Sequence, residues 1–318
     1  MDTMKYYLGA DGGGTKTDLV LTDQTGRVLR MIRTEGTNPN YHGMEQAVET
    51  LCNGLREVSA GFDPAEISAA AGIAGAGADG TSDKMAQAMS PLGFARVRCT
   101  GDGDSIMAAG LGGAPGLISI LGTGFVVFGR DTQGNGIRVS GWGSLFDEGG
   151  SGWRIGRDGL YASYCAADGS GPACPVLRAL VEEKLGDSVE NSISRLYREK
   201  ESYIASFSLP VLRAARQGDA TAADILRRNM ANAAHMIAVG MRRLPEGPAC
   251  RVVLAGGLMQ SADQLLPLLA SELERQAPDR RVQLQQLAVR PVYGALLNAG
   301  LDPTLPVPEE LLRKETEN

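Results

Sequence analysis

The sequence predicts an α/β protein of mixed sheets covered by helices, in two domains. Three observations carry that reading. The chain opens with three strand patterns in a row and then alternates helix and strand, the order of a mixed sheet flanked by helices. A strand, a glycine-rich turn and a returning strand recur about one domain later, at 117–129, as in a weak internal repeat. The 318 residues suffice for two domains at roughly 100–200 residues each.

Each element follows from local pattern. Tyr6–Ala10 is apolar and runs into Asp11-Gly12-Gly13-Gly14-Thr15-Lys16-Thr17; Asp18–Asp23 resumes as a strand, and Thr25-Gly26 turns into Val28–Thr34. Met44, Val48, Leu51, Leu55 and Val58 recur at spacings of three and four, one face of a helix that ends before Pro64. Ala69–Ala74 is fit for a buried strand and leads into Gly75-Ala76-Gly77. A helix from about Ser82 to Ser90 is stopped by Pro91 and Gly93, a strand covers Arg96–Thr100, and a helix carries Ile106 to Leu111. The first domain is placed at 1–115 and the second at 116–291. The second opens with Leu117–Leu121, Gly122-Thr123-Gly124 and Phe125–Gly129, and its middle is mostly helical. The clearest helix there is Thr221–Leu244, with Leu226, Met230, Ala233, Ile237, Met241 and Leu244 as its apolar stripe. Thr221 with Asp224 is expected to cap it, and Pro245 to end it. Arg251–Ala255, Gly256-Gly257-Leu258 and a helix from Ala262 follow. A last helix, Val292–Ala299, is expected to pack back on the first domain, and the stretch after Leu301 to form a tail.

Composition narrows the function. The formal net charge is −6 and no Lys/Arg run resembles a nucleic-acid stripe, which argues against DNA or RNA as a partner. Five cysteines, Cys52, Cys99, Cys165, Cys174 and Cys250, are scattered without a C-x-x-C, as expected of reduced thiols in a cytoplasmic protein. With only His42 and His235, a zinc hydrolase or a Ser-His-Asp enzyme is disfavoured. Residues 105–129 carry no charge and are long enough to cross a bilayer, but they hold seven Gly and Pro115. They read as a short helix, a loop and a buried strand, so no membrane partner is expected. Charges and glycines within the first fifteen residues argue against a signal peptide.

Three glycine-rich turns each follow an apolar strand: Asp11–Thr17, Gly122–Gly124 and Gly256–Leu258. Such a turn lets backbone N–H groups approach an anion, because no Cβ stands in the way. In the first, Thr15 and Thr17 add hydroxyls, Lys16 adds charge, and Asp11 adds a carboxylate suited to a hydrated Mg²⁺. The turn matches neither a Walker A loop nor a dinucleotide fingerprint, since it leads to a strand. The plainer alternative is that each is only a hairpin. Asp102 stands at a strand end in Thr100-Gly101-Asp102-Gly103-Asp104. A carboxylate there suits a general base for phosphorylating a hydroxyl; alternatively Asp102 or Asp104 caps a helix. Pro39 holds Asn38 outside the helical region, so its amide is expected to be held outward on a rigid turn, with an ordinary Asn turn as the alternative. The segment 141–156 holds Trp142, Asp147, Glu148, Ser151, Trp153 and Arg154, an indole to stack on a sugar and carboxylates to accept from its hydroxyls. Core or interdomain packing is the alternative for both tryptophans.

Taken in order, Asp11–Thr17, Gly72-Ile73-Ala74-Gly75-Ala76-Gly77, Gly122-Thr123-Gly124, Gly141-Trp142-Gly143 and Ala255-Gly256-Gly257 resemble the motifs of the BadF/BadG/BcrA/BcrD-type ATPase family, over about residues 5–300. That family includes N-acetylglucosamine kinase and glucosamine kinase and belongs to the actin/sugar kinase/Hsp70 superfamily. The resemblance implies two ribonuclease-H-like (actin-like ATPase) domains with ATP·Mg²⁺ in the cleft between them. It implies that Asp11, Gly13, Gly14, Thr15 and Lys16 form a first phosphate loop, with Asp11 positioning Mg²⁺. Gly122, Thr123 and Gly124 would form the second, and Gly256 and Gly257 the adenosine site. Asp102 resembles the catalytic base, and Thr37 and Asn38 the sugar contact. Gly75 belongs to a small pocket for an N-acetyl group, and Trp142, Asp147 and Glu148 complete the sugar site. The chain departs from the family in reading Phe146-Asp147-Glu148-Gly149-Gly150-Ser151-Gly152, one glycine more than usual, so either Asp147 or Glu148 could face the sugar. It also has Phe125 where a Ser is frequent. The implied activity is ATP-dependent phosphorylation of N-acetylglucosamine at its 6-hydroxyl, with glucosamine kinase as the first alternative and an ATPase activator of a reductase as the second. The expected partner is a small-molecule sugar, and the expected assembly a homodimer.

Overall fold

The computed structural model describes residues 4–77, 79–146, 149–245 and 249–313. The chain divides into two compact units, one running to Ala114 and resuming at Leu287, the other Pro115–Gln286.

The first unit contains β1 (Tyr6–Gly12), β2 (Lys16–Asp23), β3 (Val28–Glu35), α1 (Pro39–His42), α2 (Met44–Val58), β4 (Ile67–Ile73), α3 (Thr81–Met89), β5 (Arg96–Gly101) and α4 (Asp102–Leu111). The second contains β6 (Gly116–Leu121), β7 (Phe125–Arg130), β8 (Gly136–Ser140), α5 (Gly152–Asp168), α6 (Pro175–Leu185), α7 (Val189–Leu196), α8 (Glu201–Ser206), α9 (Ser208–Arg216), α10 (Ala220–Met241), β9 (Cys250–Ala255), α11 (Ala262–Gln276) and β10 (Val282–Gln286). The chain then returns to the first unit as α12 (Pro291–Ala299).

Each unit is built on a five-stranded mixed sheet, in the orders β3-β2-β1-β4-β5 and β10-β9-β6-β7-β8. The two are the same design. In each, three antiparallel strands form a meander, and two parallel strands follow on the far side of its first strand. The repeat glimpsed at β1–β2 and β6–β7 is therefore a repeat of the whole sheet. Every residue of β4 is buried, as a central parallel strand covered on both faces requires. Leu8 and Ala10 of β1 join Leu51, Leu55, Met85 and Met89 in one apolar cluster. Gly9 points the other way, where a Cβ would stand 2.8 Å from Leu296 N. The backbone of α12 thus lies directly on β1. It also lies on α4, because a Cβ on Gly294 would overlap the Ser105 carbonyl.

Several boundaries differ from expectation. Helix α10 starts at Ala220, capped by Asp219, whose Oδ1 accepts from Ala222 N at 3.0 Å; Asp224 instead pairs with Arg227 and Arg228. Helix α4 starts at Asp102 rather than near Ile106. The stretch expected as a tail is docked as far as Arg313. Leu311 is fully buried, Arg290 N donates to Leu311 O at 2.8 Å, and Arg313 N donates to Ala288 O at 2.9 Å. Edge strands β8 and β10 give little signal, because β10 reads Val-Gln-Leu-Gln-Gln and is mostly exposed. No helix among the described residues is long and apolar enough to cross a membrane.

Candidate active site

In the first unit the site gathers at the C-terminal ends of β1, β4 and β5, the edge where parallel strands present ligand-binding loops. The β1–β2 turn closes with Gly13 N donating to Lys16 O at 2.9 Å. The backbone amide of Gly13 is therefore already engaged and is not a phosphate donor. The next two amides, Gly14 N and Thr15 N, donate to nothing among the described residues. Thr15 and Lys16 are exposed. Two adjacent outward N–H groups beside a lysine make an anion-binding concavity. A Cβ on Gly13 would meet only Lys16 O, at 3.6 Å, so the fold itself has room for a side chain there.

The β3–α1 connection braces this turn. Thr37 N and Asn38 N both donate to Gly13 O, at 3.0 and 3.1 Å. The Thr17 and Thr37 hydroxyls lie 3.0 Å apart in a buried pair. A Cβ on Gly36 would come within 2.5 Å of the Gly14 carbonyl. Asn38 is buried, and its Oδ1 accepts from Asn40 N at 2.9 Å as the cap of α1. Its carboxamide is thus fixed by an Asn turn rather than held outward. Gly75, with φ at +83°, lies against it: a Cβ there would stand 2.6 Å from Asn38 Oδ1. Two residues on, Gly77 touches Gly101, whose successor is Asp102. The structure therefore links the first glycine-rich turn, Thr37–Asn38, Gly75 and Asp102 through successive contacts.

Asp102 is the first residue of α4, with Gly101 in the cap position, so it is not the cap. Its Oδ1 accepts from Gly103 N at 3.0 Å. Burial pushes its carboxyl above the ordinary value of 3.8, and the neighbouring Asp104 charge adds to the rise. Gly72 lets α4 come this close, since a Cβ there would overlap the Ser105 hydroxyl. Asp11, the penultimate residue of β1, lies directly opposite Asp18 of β2. It is pushed up to about 7 by burial and then by the Asp102 and Asp18 charges, against the lowering pull of Lys16 and Arg313. Asp18 is held by a two-point ion pair with Arg33, at 2.6 and 3.0 Å. The Asp11–Asp18 pairing was open to sequence reading, because a two-stranded hairpin puts these positions in register.

The second unit repeats the device. Gly122 N donates to Gly124 O at 3.0 Å, whereas Thr123 N and Gly124 N donate to nothing among the described residues. The first turn of α5 anchors the other side: Gly152 N donates to Gly122 O at 2.8 Å and Trp153 N to Thr123 O at 3.1 Å. A Cβ on Gly124 would meet nothing within 4 Å. Gly257 is equally open, whereas Gly256, with φ at +100°, is required by the fold because a Cβ would overlap the Leu121 carbonyl. Phe125 is buried and packs on Gly150. Trp142 is 65% exposed, with the Arg138 guanidinium 4.5 Å from its ring centre, and Leu145 and Phe146 are exposed beside it in the chain. Trp142 is therefore not a core residue. Asp147 and Glu148 lie outside the described residues. Sequence reading did not single out Tyr41 or His42, whose contacts with Gly14 are tertiary.

Among the described residues no three His, Cys, Asp or Glu side chains gather into a metal-holding group. The Asp11 carboxylate, crowded by like charges, suits a hydrated cation shared with substrate phosphates, which is how Mg²⁺ is held. Four of the five cysteines do not offer reactive thiols: burial raises Cys52, Cys174 and Cys250, and pushes Cys99 up to about 12.

The model of the BadF/BadG/BcrA/BcrD ATPase family matches residues 8–299. The chain belongs to this family. As a family member it uses ATP. It is 30% identical over 233 residues to an N-acetylmuramic acid/N-acetylglucosamine kinase of Clostridium acetobutylicum, covering 70% of this chain and 75% of that one. It is 28% identical over 213 residues to an N-acetyl-D-glucosamine kinase of Dictyostelium discoideum, covering 62% and 66%. A solved structure of a candidate N-acetylglucosamine kinase from Chromobacterium violaceum matches with a TM-score of 0.75 at 24% identity, covering 93% of this chain and 99% of that one. A ROK family glucokinase from Streptomyces griseus, solved with glucose and AMPPNP, matches with a TM-score of 0.57 at 19% identity, covering 92% and 97%. The paired mixed sheets are thus those of the actin-like ATPase fold, as the motifs implied.

Proposed function

We propose that this BadF/BadG/BcrA/BcrD family member is an ATP-dependent amino-sugar kinase that transfers a phosphoryl group to the 6-hydroxyl of N-acetylglucosamine. The observation that carries the reading is the continuous path from the first glycine-rich turn through Asn38 and Gly75 to part-buried Asp102. It places an anion cradle, a polar turn and a raised carboxylate on one sheet edge. The names of the two relatives support the choice of sugar.

In this reading the amides of Gly14 and Thr15, with Lys16 and the Thr15 hydroxyl, form a phosphate-binding turn in the first unit, and those of Thr123 and Gly124, with the Thr123 hydroxyl, form another in the second. Gly256 and Gly257 border the adenosine. Asp11 holds Mg²⁺, which when bound offsets charge on the phosphates. Asp102 accepts the proton of the sugar hydroxyl, and its raised carboxyl makes it a better base than an ordinary aspartate. The Gly103 N–H holds the receiving carboxylate in place. Thr37, Asn38, Gly75 and Trp142 border the sugar, with Asp147 and Glu148 as further candidates. The protein acts as a homodimer in the cytoplasm.

The test is ADP release with Mg·ATP across N-acetylglucosamine, glucosamine, N-acetylmuramic acid and glucose. N-acetylglucosamine should give the highest kcat/KM. A site that leaves a buried polar group unpaired can reject the wrong sugar by up to about 10⁴–10⁵-fold. Good turnover of glucosamine without N-acetylglucosamine would move the assignment to glucosamine kinase. No turnover of any sugar would leave an ATPase of another role, the activator of a reductase among them.

A further inference from the structure

We infer that His42 is a positioning residue that aims the Thr15 amide at the nucleotide phosphates and so couples the sugar loop to nucleotide binding. The inference rests on the kinase reading only for its second half.

The argument starts from the planar trans peptide, in which C=O and N–H point in opposite directions. Gly13 O accepts from Thr37 N and Asn38 N, which turns the Gly14 N–H of the same peptide away from the sugar loop. The next peptide, Gly14–Thr15, has no such backbone anchor. Its carbonyl is met instead by His42 Nε2 at 2.8 Å. A carbonyl oxygen can only accept, so Nε2 carries the proton and donates. That contact turns the Thr15 N–H outward, beside the Gly14 N–H, and both are left without a partner among the described residues.

His42 closes α1, and Asn38 caps its start. The Tyr41 ring packs on Gly14, where a Cβ would be 3.4 Å from Tyr41 Cδ2. One short helix therefore holds the sugar-loop asparagine at one end and the second phosphate-loop peptide at the other. A hydrogen bond accepted by a peptide carbonyl also polarises its N–H and strengthens it as a donor. Ordering Asn38 by sugar would order His42, and anchoring phosphate on the Thr15 N–H would tighten the His42 contact. Coupling of this kind is reciprocal in binding free energy.

The experiment is calorimetry of full-length protein with AMPPNP, with and without saturating N-acetylglucosamine. It compares wild type with His42→Leu, which removes the donor, His42→Asn, which is polar but shorter, and His42→Gln, whose amide can reach the same carbonyl. One hydrogen bond of ordinary strength corresponds to about 5–10-fold in AMPPNP affinity. His42→Leu and His42→Asn should lose about that factor and most of the sugar-induced gain, while His42→Gln keeps both within about threefold. If His42→Leu does not fold, the Asn and Gln pair gives the same comparison. Wild-type affinity and wild-type sugar coupling in folded His42→Asn would overturn the inference. So would wild type that binds no AMPPNP. If wild type binds AMPPNP but turns over no sugar, the kinase reading fails, and the loss of AMPPNP affinity in His42→Asn still decides the role of His42.

Discussion

Asp11→Asn should make the ligand-free protein more stable while disabling it. Asp11 is partly buried and faces two like charges, Asp102 and the cross-strand Asp18. Its carboxyl is carried from 3.8 to about 7, which at ~1.4 kcal/mol per pH unit puts the cost of keeping it charged at roughly 4 kcal/mol. That figure is a ceiling; partial solvent access and the nearby Lys16 and Arg313 bring the working value to about 2 kcal/mol. The sign follows from linkage. The unfolded carboxyl ionises near 3.8 and the folded one near 7. The wild-type protein therefore loses stability relative to the neutral variant as pH rises through that window, and the loss is complete above it. The gain should therefore be incomplete at pH 5 and full at pH 8. In thermal melts at low ionic strength the variant should gain about 4–8 °C at pH 8, taking about 2–4 °C per kcal/mol. Mg·ATP should stabilise wild type more than the variant, because the cation offsets the charge that the variant lacks. A gain of the same size at pH 5 and pH 8, or none at pH 8, would refute the charge-crowding argument.

Asp102→Asn keeps the acceptor for Gly103 N but cannot take a proton; kcat should fall by about 10²–10⁴-fold with AMPPNP affinity retained, and steady-state activity within a few-fold of wild type would move the base to another group. Because burial raises Asp102, the acid limb of the wild-type kcat profile should lie above the ordinary aspartate value of 3.8, and a limb at or below that value would contradict it. Gly13→Val has room in the ligand-free fold, so its melt should match wild type while calorimetry shows weakened AMPPNP binding; unchanged binding would make the turn a mere hairpin. Gly36→Ala presses a methyl on the Gly14 carbonyl, which is backbone and cannot give way, so it should cost about 1–3 kcal/mol in chemical denaturation.

What could be read from sequence was what local pattern encodes. The strands β1, β4, β6 and β9 are short, mostly apolar runs that lead into glycine-containing turns, and α2 and α10 carry a clear apolar stripe. The segments that escaped are those whose pattern is weak or whose partner is distant. β10 is an exposed edge, and Leu311 is buried where the chain end docks, its neighbour Leu312 bridging to Val289. In the site, the glycine turns were visible as turns, but which amides they leave over was not. That depends on whether a carbonyl elsewhere has claimed the N–H: Lys16 O claims Gly13 N, and Gly124 O claims Gly122 N. Asn38 was legible as a special residue and misjudged in posture, because Asn40 N, two residues away, captures its oxygen.

The two phosphate-type turns solve one problem in two ways. An exposed N–H pair aims at an anion only if the carbonyls behind it are held, since each peptide turns as a plate. In the second unit both carbonyls of the turn are held by the first turn of α5, at Gly152 N and Trp153 N. A helix start has unpaired amides to give, so no side chain is needed. In both units two strands follow the turn before a helix returns to it, but in the first unit that helix is the four-residue α1. Its cap residues hold one carbonyl by backbone, and the second falls to a side chain, His42. A helix start is fixed by its own ladder, whereas a side-chain anchor can be made or lost as α1 shifts. The side-chain-anchored turn lies in the unit that also carries Asn38, Gly75 and Asp102.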